Sequence, residues 1–157
     1  MDEKWIEIRR EVDQFNEEEE INKVDYKNLL SYESVITKIK WHRSAVNLGS
    51  MGVYNLNRAI FTPRENARQK GFLGGMNAAL IASKKILEGA SDYNKSPKAV
   101  FDQIASIITQ KRQSLTSDWD DDNEKKHKEI FQEMFLTSEI SYYIYVWKLL
   151  TKTEKSE

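Results

Sequence analysis

Residues 62–88 read TPRENARQKGFLGGMNAALIASKKILE, and this stretch decides the fold class. Thr62, Pro63 and Glu65 form a capping box: a hydroxyl to accept from the first turn, a proline at the first helical position, and a carboxylate reaching back. Phe72, Met76, Leu80, Ser83 and Leu87 then fall on one helical face, and Gly89 supplies a stop. The same grammar recurs on either side. Ser96-Pro97 opens a second capped helix, over 97–116, through Val100, Phe101, Ile104, Ile108 and Leu115. Upstream, Trp5, Ile8, Val12 and Phe15 step along a helix over 3–20. Its terminal run, Glu17 to Glu20, suits a solvated face but opposes the negative C-terminal end of a helix, so a turn is expected near 21–25. Leu29, Tyr32, Ile36, Ile39 and Val46 share a stripe over 25–48, with Gly49 and Gly52 as terminators.

The last helix, 124–151, begins with Ile130, Phe131, Met134 and Phe135 on one side. From Ile140 to Leu150 nine of eleven residues are apolar, so that half is buried in a core or in a partner. Glu133, Glu139 and Lys148 interrupt it far short of the roughly 20 apolar residues a membrane span needs. Residues 49–61 hold Met51, Val53, Leu56, Ile60 and Phe61, too apolar for a free loop. They read as a buried connection with one short helical turn, strand being the lesser option. The expectation is a single all-α domain over 1–157, a bundle of about five helices with a long C-terminal one.

With 157 residues and 17 aromatic side chains the chain can build one sizeable core. It has no cysteine, which excludes disulfides, thiol catalysis and Cys-ligated zinc. No charged segment followed by an apolar one opens it, so no signal peptide is read and a cytoplasmic location is expected. The net charge of −1 conceals segregation: −6 over residues 1–20, +6 over 21–70, +3 over 71–116 and −4 over 117–133. Such a layout suits a basic partner-facing surface with acidic flanks, and the plainer account is internal pairing.

Four features bear on chemistry. Asp118, Asp120, Asp122, Glu124 and Glu129 have the alternation of an EF-hand calcium loop, in which carboxylates wrap a hard cation. Asn123 stands where glycine is wanted, Lys125 where an apolar residue is, and no sister loop exists. The plainer account is a helix connection with Asp122 as cap. Glu17 with Glu20, and Glu124 with His127, have metal-bundle spacings, but no second Glu-x-x-His completes a di-iron site and no Glu-x-x-Asp a magnesium site. Lys38, Lys40, Arg43, Arg58, Arg64, Arg68 and Lys70, with Trp41 and His42 interleaved, make 38–70 a candidate for phosphate contact and base stacking. The pI of about 6.2 and the lack of a recognised readout motif weigh against a general DNA binder. Gly71, Gly74 and Gly75 lie within a helix, where each costs about 1 kcal/mol relative to alanine. Close approach of another backbone, in the bundle or in a second subunit, would offset that.

No nucleophile motif or phosphate loop is present, so no enzyme activity and no cofactor is expected, calcium being the one weak exception. The expected function is protein–protein binding or self-assembly without a membrane, with Trp41, Tyr142, Tyr143, Tyr145, Trp147 and the three glycines as interface candidates. Composition of this kind fits a phage or mobile-element accessory, in which a virion assembly component and an inhibitor of a host protein look the same. The alternative is a nucleic-acid-binding accessory using 38–70, and a third reading is a calcium-stabilised helical domain.

Overall fold

The computed structural model of the chain describes residues 3–57, 62–116 and 126–152, with backbone only for 50–57. Arg58, Asp118, Asp120, Asp122 and Glu124, and with them most of the calcium loop, lie outside the described residues, as do 58–61 of the uncertain connection.

The fold is all-α. Six helices occur among the described residues: α1 (Glu3–Gln14), α2 (Glu17–Asn22), α3 (Tyr32–Asn57), α4 (Pro63–Asp92), α5 (Pro97–Arg112) and α6 (His127–Thr151). Helix α6 is the axis of the bundle and touches α1, α3, α4 and α5, while α2 lies against α5. Ile140, Ile144, Val146, Trp147 and Leu150 are shielded almost completely, as the all-round apolar composition of that half requires. Trp147 takes the edges or faces of Phe15 and Phe101 at 5.5 and 4.8 Å, locking α1 and α5 onto α6.

Several helix limits differ from those expected. The 3–20 helix is two helices. Asn16 is extended and accepts from the Glu19 N–H through its side chain, restarting the helix there. The four glutamates thus occupy a positive N-terminal turn, which removes the conflict their sequence position posed. Arg112 closes the break by donating to the Phe15 carbonyl at 2.9 Å and pairing with Glu17 at 2.7 Å. Asp25 begins no helix. It accepts from the Lys27 N–H and the Asn28 side chain, making a turn, and α3 starts at Tyr32 behind the Ser31 hydroxyl, which accepts from the Ser34 N–H. Gly49 and Gly52 do not end α3, which continues to Asn57, so the connection expected from residue 49 is helical through 57. Gly89 likewise lies inside α4. The stop is at Asn94, left-handed at φ 53°, with Lys95 and Asn94 N–H groups donating back to the Ala90 and Ser91 carbonyls. At its start α4 obeys the capping box: Thr62 accepts from the Glu65 N–H.

The densest packing joins α4 to α6, and the glycines make it possible. A Cβ on Gly71 would lie 2.6 Å from the Phe131 carbonyl oxygen, and one on Gly74 would lie 2.8 Å from the Phe135 ring. A Cβ on Gly75 would press closer still on the Phe135 carbonyl and stand 2.8 Å from the Glu139 nitrogen. The Ser138 hydroxyl donates to the Phe72 carbonyl at 2.7 Å across the same seam. These three glycines are therefore committed within the chain, and the interface role expected of them is corrected.

Candidate interaction surface

Helix α3 presents the most exposed aromatic residue of the aromatic candidates. Val35 and Ile39 enter the core, with Ile36 and Val46 packed beside them. At 3.6 residues per turn this turns Trp41, Ala45 and Leu48 outward on one side, spaced i, i+4, i+7. Trp41 and Leu48 are each 70% exposed and stand about 10 Å apart along the axis at 1.5 Å per residue. Exposed Lys40 flanks the row on one side and half-buried Lys38 on the other. Arg43 is held toward α4, donating from Nε to Asn77 at 2.8 Å, and Asn77 also exchanges side-chain hydrogen bonds with Asn47. From residue 34 to residue 64 the chain has no carboxylate, so the only charges this stretch contributes are positive.

Behind the face runs an aromatic row that fixes α3 on the bundle. His42 lies 4.7 Å from the Tyr145 ring centroid and 5.4 Å from that of Tyr142, with its Nε2 3.2 Å from the Tyr142 hydroxyl. Tyr142 meets Phe72, and Phe72 meets Trp5 on α1. Burial pulls the His42 pKa below its ordinary value. Burial, helped by Tyr145, pushes Tyr142 up to about 12, and burial with the Glu139 charge does the same for Tyr143. At neutral pH the row is uncharged.

The other predicted residues scatter. Tyr143 and Trp147 are core residues at 3% and 1% exposure, and Tyr142 and Tyr145 face α3, so the aromatic surface expected on α6 is corrected: of the five aromatic candidates only Trp41, on α3, points outward. Their removal from solvent follows from the position of α6 at the centre. Of the basic residues, Arg68 is buried and bonded to Glu65 at 3.3 Å, so it does not share a free phosphate-binding face with half-buried Arg64. Lys40 and Lys70 are exposed. Glu129 is exposed, and the described residues contain no group of three or more His, Cys, Asp or Glu side chains able to hold a metal. No described helix is long and apolar enough to cross a membrane.

Two features were missed from the sequence. Leu48 beside Trp41 was legible in principle, because both fall opposite the 35, 39, 46 stripe. The second is an open groove of about 1020 Å³ between the α1–α2 corner and α5. Phe15, Ile21 and Ala105 supply its apolar lining, and Asp13, Glu18 and Asp102 are among its carboxylates. Its only advance sign was the Asn16 cap, since the corner between α1 and α2 creates the concavity.

No protein-family model matches the chain, and neither a curated protein nor a solved structure is significantly similar to it.

Proposed function

We propose that the protein is a non-enzymatic binding module that works by protein–protein contact through the outer face of α3. The observation that carries this reading is Trp41 with Leu48, two large apolar side chains, each 70% exposed, on one helical row. Buried aromatic anchors dominate protein interfaces, and a tryptophan covers about 150–250 Å² when docked. The neighbouring amines of Lys38 and Lys40 give such a contact a charged rim. Site-specific photocrosslinking tests it in cells. A photoreactive residue at position 41 is expected to give a discrete protein adduct that the same residue at Tyr93, exposed at the far end of α4, does not. Equal adducts at both positions, or none at 41, would end the reading.

A nucleic-acid reading has one observation in its favour: exposed Trp41 beside exposed Lys40 on an acid-free stretch, an arrangement suited to stacking and phosphate contact. It predicts that labelled single-stranded DNA binds with an affinity that falls steeply as salt rises, and that Lys40→Glu weakens it further. Anisotropy titrations that show no salt-sensitive binding exclude it.

A further inference from the structure

We infer that the partner of the α3 face is a second copy of this chain, which receives the Trp41 row in its groove between the α1–α2 corner and α5. The inference rests on the protein-binding reading above and gives that surface its occupant.

Three observations support it. The first is charge. The groove is lined by four carboxylates, Asp13, Glu17, Glu18 and Asp102, against the one guanidinium of Arg112. Glu17 is spent on Arg112, but Asp13 and Asp102 leave about half of their side chains in solvent beside their own i, i+4 partners, and Glu18 is exposed. Beside the Trp41 row the α3 face has Lys38 and Lys40, and residues 34–64 contain no acid. Two α3 faces repel each other and two grooves repel each other, so only face-to-groove contact is complementary. The second is shape. A row of a bulky aromatic and a leucine needs a concave, partly apolar receiver, and the groove's Phe15, Ile21 and Ala105 provide one at a volume typical of binding clefts. The third is topology. Among the described residues helix α3 packs on α4 and α6 and not on α1, α2 or α5, so the two surfaces sit on separate elements and can both be engaged by neighbouring copies. A contact between two different patches closes as a two-fold dimer when two copies exchange it reciprocally, and otherwise builds a larger ring or an open chain.

The experiment uses the intact protein and two variants, each disabled on one surface. Trp41→Ala with Lys40→Glu removes the face, and Glu18→Lys with Ala105→Arg removes the groove. Circular dichroism melts establish that both fold. Sedimentation velocity and native mass spectrometry of the wild type are expected to show association that rises with concentration and weakens several-fold as salt is raised. Trp41→Ala alone weakens it about 30-fold, the scale of a binding hot spot. Each double variant is monomeric, and the two mixed give a one-to-one heterodimer that grows no further, because one intact face then meets one intact groove. A wild type that stays monomeric at every concentration overturns the inference, and so does a single-surface variant that still self-associates. A position-41 crosslink to a foreign protein, with no self-association, overturns this inference and leaves the binding-module reading standing. The absence of any crosslink at 41 sinks both.

Discussion

Two glycines of one helix, Gly75 and Gly89, have the same residue type and opposite consequences. Adding a methyl group at Gly89 meets nothing within 4 Å, and its helical backbone tolerates any L-residue. Gly89→Ala is therefore expected to raise stability by about 0.5–1 kcal/mol, the helix-propensity difference. At Gly75 the same methyl group collides with the backbone of α6, which cannot step aside as a side chain does. Gly75→Ala is expected to lower stability by about 1–3 kcal/mol or more, with Gly71→Ala close behind, in urea titrations read by circular dichroism. Opposite signs are the test, and a loss at both positions would contradict the packing described. The sequence alone carried half of this: clustered helical glycines demand a close neighbour, but residue type does not say which backbone supplies it. At Gly89 the glycine rule for helix ends misled, because Asn94 takes the left-handed position five residues later.

Helix starts were legible where a cap is followed by proline, and of the helix ends only that of α6, at Thr151, was. Thr62 and Ser96 both accept from backbone N–H groups as their motifs require. Asn16 has no following proline to mark it, and the clue lies in the four carboxylates behind it, which belong on a positive helix end. Asn16→Ala is expected to cost about 1 kcal/mol and to loosen α2 selectively. Hydrogen exchange should speed up at Glu19 and Glu20 while α5 stays protected, and uniform change would argue that the cap is not local. Helix α3 shows the converse error. A glycine costs only about 1 kcal/mol in a helix, and Gly49 meets no obstacle, so an amphipathic stripe already docked through Ile39 and Val46 runs on past it. The candidate surface was read in part for the same reason: Trp41 stood out by type, but the orientation of the α6 tyrosines depends on four neighbours that no local pattern encodes.

At the scale of the molecule, α6 holds α1, α3, α4 and α5 in register, and its Trp147 packs on both Phe15 and Phe101. Trp147→Ala is expected to cost about 3–5 kcal/mol, enough to unfold a marginal domain, and should show as a large fall in melting temperature. A shift of only a degree or two would displace α6 from the centre. Acid acts elsewhere. His42 binds its proton less readily in the folded state than in the unfolded chain, because burial disfavours the imidazolium. Between its ordinary value near 6.5 and its lower folded value the unfolded state therefore holds more protons, so stability falls as pH falls through that window and levels off below it. His42→Phe should flatten that part of the pH profile in denaturant titrations, and an unchanged slope would place the titration in another group. The aromatic layout has one more consequence. Trp5 and Trp147 are sealed from water, whereas Trp41 stands in it. With Trp119→Phe as background, the quencher-accessible, red-edge part of the intrinsic fluorescence reports on one residue, at the centre of the proposed contact. Docking there would register as a blue shift and loss of iodide quenching, so the protein carries its own label-free optical reporter.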